Sequence, residues 1–155
     1  MSLTTTTHLN FRGDARAALT FYQEVFGGEV SIVTYAAFGM PTDAPGADHV
    51  VFGQVASDDG FRIMAYDIPG QAGGRVGPAG GTRREQGMTI TTQPFFVSVR
   101  GETFAEIQGY WGRLSDQATI VEPLAATVWS PGFGMLTDRF GITWVLDVAV
   151  DGDGA

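Results

Sequence analysis

The sequence predicts an α+β fold built from two tandem βαβββ modules, and three observations carry that prediction. NFRGDARAALTFYQEVFGGEVSIV (10–33) aligns without a gap on SVRGETFAEIQGYWGRLSDQATIV (98–121) at a constant offset of 88 residues, with six identities in 24 positions. FGQVASDDGFRIM (52–64) lines up with FGMLTDRFGITWV (133–145) at an offset of 81, sharing Phe52/Phe133, Gly53/Gly134 and Gly60/Gly141. Between the halves lies PGQAGGRVGPAGGTRREQG (69–87), too rich in Gly and Pro for regular structure.

Each copy begins with a short strand and turns at Arg-Gly (Arg12-Gly13, Arg100-Gly101), where an acidic residue, Asp14 or Glu102, is placed to cap a helix. In the first helix Ala15, Ala18, Leu19, Tyr22, Val25 and Phe26 recur at helical spacing on one face, and Gly27-Gly28 ends it. A β-branched strand follows in both copies, at EVSIV and ATIV. The smaller second offset assigns the first half a longer connection, around FGMPTDAPGADH, before its closing hairpin. In GFGMLTDRFGITW (132–144) apolar residues alternate on either side of Asp138 and Gly141, so the stretch reads as a hairpin whose Asp138 shapes the turn. The boundaries that result are a first module over 1–68, a linker over 69–92 and a second module over 93–155. Arg83-Arg84-Glu85 reads as a solvated loop tip.

Composition narrows the functional classes. At 155 residues and 44% hydrophobic content the chain can bury a core, and its formal charge of −8 repels phosphate backbones. Nucleic-acid binding is not expected. With no cysteine there are no disulfides, zinc–cysteine sites or thiol nucleophiles. MSLTTTTHLN lacks a basic and apolar leader pattern and no run approaches a membrane span, so a soluble, cytoplasmic protein is expected. Only His8 and His49 could serve a Ser-His-Asp triad, and no Gly-x-Ser-x-Gly elbow presents a serine.

HLNFRGDARAALTFYQEVFGGEV and WSPGFGMLTDRFGITWVLDV, set in two βαβββ modules, resemble the vicinal oxygen chelate superfamily (glyoxalase, bleomycin resistance and extradiol dioxygenase), specifically its PhnB-like branch. The resemblance covers nearly all of the chain outside the linker. It implies modules that pair into a cupped mixed sheet, a site within the cup, and a homodimer. Names in this branch include a ubiquinone-pathway methyltransferase, but the sequence shows no glycine-rich βα turn for a nucleotide-derived cofactor.

Enzymes of that superfamily typically hold a divalent metal with one position on the first and one on the last strand of each module. Here the corresponding residues are His8 (or Thr7), Phe95 or Phe96, Met64 and Val145. Three of four positions lack a ligand, so no cofactor is expected, although a divalent metal on His8 stays open. His49, Gln54, Asp67 and Asp147 are the neighbouring groups with ligand chemistry. Replacing ligands by Phe, Met and Val converts a coordinating site into an apolar one. The expected small-molecule site is therefore lined by His8, Phe52, Gln54, Trp129, Met135 and Trp144, with the two tryptophans offering flat apolar surface and an N–H donor. The expected function is binding of a small, uncharged or cationic, partly aromatic molecule without a complete metal site. The alternative is a metal-dependent lyase, isomerase or dioxygenase of the same superfamily built on His8.

Overall fold

A computed structural model describes residues 2–74 and 81–150, and the chain divides into two compact units, residues 1–76 and 77–155. Unit 1 contains strand β1 (Thr7–Phe11), helix α1 (Ala15–Phe26) and strands β2 (Glu29–Thr34), β3 (Val50–Ala56) and β4 (Arg62–Asp67). Its sheet has the order β1-β4-β3-β2, with β1 parallel to β4 and the other pairs antiparallel. Unit 2 begins with a hairpin, β5 (Thr82–Glu85) and β6 (Met88–Thr91). Strand β7 (Val97–Gly101), helix α2 (Phe104–Leu114) and strands β8 (Thr119–Ala125), β9 (Phe133–Thr137) and β10 (Thr143–Val148) follow. The second sheet repeats the first, as β7-β10-β9-β8 with β7 parallel to β10. Each unit is thus a βαβββ module of mixed sheet and one helix, the α+β architecture the repeats predict. Among the described residues no helix is long and apolar enough to cross a membrane.

Burial and the close helix approaches show which side of each sheet meets its helix. In unit 1, Leu9, Phe11, Val55, Ile63 and Ala65 are buried together with the predicted α1 face of Ala15, Ala18, Leu19, Tyr22, Val25 and Phe26. Gly53 lets the helix approach, because a Cβ there would lie 2.3 Å from Leu19 Cδ1. Gly134 does the same in unit 2, where a Cβ would lie 2.8 Å from Trp111. The closing turns also correspond. Ser57 N–H donates to the Phe61 carbonyl (2.9 Å) and Asp138 N–H to the Ile142 carbonyl (2.8 Å), with Gly60 and Gly141 both at positive φ.

Four expectations need correction. First, neither helix is capped by its acidic residue. Asp14 makes no side-chain cap bond, whereas α2 is capped by Thr103, whose hydroxyl accepts from Glu106 N–H at 3.2 Å. At α1 the carboxylate of Asp67 reaches across from the end of β4, its Oδ1 accepting from Gly13 N–H (2.8 Å) and Ala15 N–H (3.0 Å) and its Oδ2 from Val50 N–H (2.8 Å). Second, the ungapped offset of 88 slips against the strand ladders. His8 pairs with Met64 and Ser98 with Val145, so His8 corresponds to Ser98 rather than to Phe96, and Phe95 and Phe96 precede β7. The helices and turns absorb the difference, which no single-offset alignment can express. Third, the Gly/Pro-rich stretch does carry regular structure, since β5 and β6 form a hairpin from Thr82 to Thr91; residues 75–80 of that stretch lie outside the described residues. Fourth, Arg84 is not solvated. Its side chain is only 14% exposed and its guanidinium stacks 5.5 Å above the Phe133 ring.

Candidate functional site

The side of the unit 1 sheet away from α1 gathers much of its chemistry. The register sets His8, Met64, Gln54 and Ser31 in one row across the four strands, and the next positions of the same parity are the pairs Asn10 with Tyr66 and Phe52 with Val33. Three residues expected at the site, His8, Phe52 and Gln54, therefore share one helix-free face. His8 Nδ1 lies 3.2 Å from Asn10 Oδ1, and its ring meets that of Tyr66 edge-on with centroids 5.3 Å apart. Phe52 is 40% exposed on a strand whose opposite face, at Gly53 and Val55, is buried. Tyr35 closes one end, its hydroxyl donating to the Asp67 carbonyl at 2.7 Å. Burial pushes the Tyr35 phenol above its usual range, and the nearby Tyr66 and Asp67 push it the same way.

In unit 2 the helix-free face carries Phe133, Met135 and Thr137 of β9 beside Asp147, Val145 and Thr143 of β10. Trp129 packs edge-on against Phe133, with centroids 5.6 Å apart, and keeps 54% of its surface exposed. Met135, by contrast, is 1% exposed, with Thr89 of the hairpin donating to its sulfur at 3.7 Å. Asp147 is held by a two-pronged ion pair with Arg100, Nε to Oδ1 at 3.1 Å and Nη2 to Oδ2 at 2.9 Å.

Trp144 does not join this face. The antiparallel register pairs it with Leu136 rather than Met135, which turns it toward the helix side with Leu146, and it is fully buried. Its Nε1–H donates to Asp138 Oδ2 at 2.9 Å, while Oδ1 of the same carboxylate accepts from Phe140 N–H (2.8 Å) and Ile142 N–H (3.0 Å). Asp138 thus shapes the turn, as expected, and also anchors the tryptophan. Asp67 and Asp147, close in aligned position, serve opposite sides of their sheets, one bracing α1 and the other pairing with Arg100.

Sequence reasoning missed Asn10, Tyr66 and Arg84. Asn10 was within reach, because it stands two residues after His8 on the same strand face. Tyr66 and Arg84 required the strand register and the hairpin. A groove of about 640 Å³ at the other end of unit 1, around Gly27, Gly28 and the β3–β4 turn, is lined by Glu29, Asp58, Asp59 and Arg62 and by none of the six expected residues.

The paired first- and last-strand positions hold an imidazole and a thioether in unit 1, His8 with Met64, and a hydroxyl and an alkyl group in unit 2, Ser98 with Val145. Among the described residues no group of three His, Asp or Glu side chains is arranged to hold a metal ion.

Residues 6–146 match the Glyoxalase/Bleomycin resistance protein/Dioxygenase superfamily. The chain belongs to that superfamily. It is 24% identical to Protein YjdN of Escherichia coli K12 over 151 residues, 91% of this chain and 92% of that protein. Two solved structures share both fold and length. Protein PA1353 from Pseudomonas aeruginosa superposes with a TM-score of 0.69 at 25% identity, covering 95% of this chain and 98% of that one. A Bacillus cereus protein described as a putative 3-demethylubiquinone-9 3-methyltransferase, PhnB protein, gives 0.66 at 26% identity, covering 95% and 100%.

Proposed function

We propose that this superfamily member is a PhnB-like small-molecule-binding protein that takes an uncharged or cationic, partly aromatic ligand on its helix-free sheet faces without a complete metal site. The observation that carries the reading is the row structure of unit 1. Exposed Phe52 supplies apolar area, while His8, Asn10, Gln54 and Tyr66 supply a few polar groups on the same face. Such a surface gains affinity from buried apolar area, at about 25 cal/mol per Å², and orientation from one or two hydrogen bonds. Trp129 and Phe133 give unit 2 a comparable aromatic surface. Methyl transfer is not supported. The N–H groups of Gly13 and Ala15 at the β1–α1 turn are already occupied by Asp67, which leaves that turn no cradle for a phosphate or nucleotide.

Tryptophan fluorescence titrated with a panel of small aromatic amines and phenols, with and without EDTA, tests the reading. Saturable binding that survives EDTA is expected, weakened by about 1–3 kcal/mol in Phe52→Ala or Trp129→Ala. Binding abolished by EDTA and restored by a divalent metal overturns it and favours the lyase, isomerase or dioxygenase alternative. Near-stoichiometric metal in the purified protein, lost in His8→Ala, has the same consequence. The exposed edges at β2 and β8, with Val30 39% and Ile120 43% exposed, support a homodimer that covers them. Sedimentation showing only monomer at micromolar concentration would refute that assembly.

A further inference from the structure

We propose that the β5–β6 hairpin is a displaceable cover over part of the unit 2 face, and that the surface it covers, Phe133, Met135 and Thr137, is a binding floor reached when the hairpin lifts. The second half of this statement rests on the reading of the helix-free faces as ligand-binding surfaces. The first half stands on the hairpin alone.

The hairpin is an addition to the βαβββ repeat, since the described residues ahead of β1 in unit 1 form no strand. It forms a two-stranded sheet of its own, so no backbone ladder ties it to the neighbouring sheet. Two-stranded ribbons are marginal by themselves, and this one has few apolar anchors, with Met88 59% exposed and Ile90 only half-buried. What holds it down is side-chain contact. Gln93 Oε1 accepts from Thr143 Oγ1 of β10 at 2.7 Å and also from Thr82 Oγ1 of β5, which makes it a clamp between sheet and hairpin. Thr89 rests on the sulfur of Met135 and Arg84 on the ring of Phe133.

One of the contacts that hold the hairpin down is incomplete. Arg84 Nη1 donates to Thr89 Oγ1 at 2.9 Å within the hairpin, and its buried Nε faces the Glu122 carboxylate of β8 at 3.7 Å as an ion pair that makes no hydrogen bond. A buried donor without an acceptor penalises the state that buries it, and lifting the hairpin returns it to water. Weak anchoring and an unsatisfied donor place the hairpin at the low-stability end of the molecule, where covers and lids are drawn from. Beneath it lies the 1%-exposed Met135 beside the Phe133 ring, and the equally buried Thr137 follows on the same face of β9, bonded to the Thr143 hydroxyl that Gln93 clamps.

The absence of cysteine from the chain allows a direct test. Met135→Cys creates a single thiol under the hairpin, and Met88→Cys creates one on its exposed side. Their reaction rates with Ellman's reagent are compared in the full-length protein under native conditions. The covered thiol is expected to react more slowly than the exposed one, at a rate insensitive to low urea. Cutting the clamp with Gln93→Ala or Thr143→Val is expected to accelerate it about three- to tenfold at unchanged circular dichroism. Thr137→Cys serves as a second reporter should Met135→Cys fold poorly. The cover is refuted if the thiol reacts as fast as the exposed one. It is equally refuted if the thiol reacts only through global unfolding, with the full urea dependence of that transition and no response to the clamp variants. Because this readout needs no ligand, its failure is distinct from failure of the fluorescence titration, which overturns the binding floor and leaves the cover standing.

Discussion

Replacing Trp144 by Phe tests whether this residue belongs to the core or to a ligand surface. The substitution deletes the Nε1–H that donates to Asp138 Oδ2 at 2.9 Å, in a place where both residues are at most 1% exposed. Withdrawing a hydrogen bond from a buried charged group costs about 1.5–3 kcal/mol, and the smaller ring adds about 1 kcal/mol or more for lost packing. A total loss of about 2.5–4 kcal/mol is therefore expected from urea unfolding followed by far-UV circular dichroism. Asp138→Asn provides the other arm. The carboxylate uses Oδ1 for Phe140 and Ile142 N–H and Oδ2 for Trp144, so whichever way the amide turns, its NH₂ meets a donor. The double variant should lose less than the sum of the singles, by about 1–3 kcal/mol. Additive losses would refute the coupling. Reduced ligand affinity in Trp144→Phe without loss of stability would refute the placement in the core.

Three other outcomes follow from local geometry. Asp67→Asn cannot accept from Gly13, Ala15 and Val50 together, so a loss of about 2–3 kcal/mol is expected, with faster amide exchange at the start of α1. Gly53→Ala puts a methyl 2.3 Å from Leu19 Cδ1 and 2.9 Å from the Ala65 carbonyl, and calorimetry should show a lowered Tm corresponding to about 1–3 kcal/mol. The raised pKa of Tyr35 sets a pH dependence: its stabilising contribution is complete below the unfolded pKa of about 10 and is lost as pH rises through the higher folded value. Tyr35→Phe should accordingly lose less stability than the wild type between about pH 9 and about pH 12, as measured by urea titrations across that range.

Much of the fold was legible because it rests on local chemistry and repetition. The spacing of Ala15, Leu19, Tyr22 and Phe26 defined the buried side of α1, and the Gly53/Gly134 and Gly60/Gly141 matches located the helix approaches and the turns. Thr103 with Glu106 was also readable as a helix start, but Glu102 drew attention one residue too early. The candidate site was legible in part. His8, Phe52 and Gln54 were named from residue type and alternation, and the register gathers them on one face.

Alternation along a single strand says which residues share a side, yet not which side meets the helix; the pairing of Trp144 with Leu136, on the face where Gly134 approaches Trp111 of α2, decided that. The same holds for Asp67, whose three backbone donors come from residues as many as 54 positions away, and for Arg84, whose aromatic partner stands on another element. Sequence by itself determined the composition of the modules, their two helices and their hairpin turns, because these depend on period, turn residues and steric room at short range. The tertiary structure alone decided which polar groups meet, because hydrogen bonds and ring contacts are set by distances of a few ångströms between segments far apart in the chain.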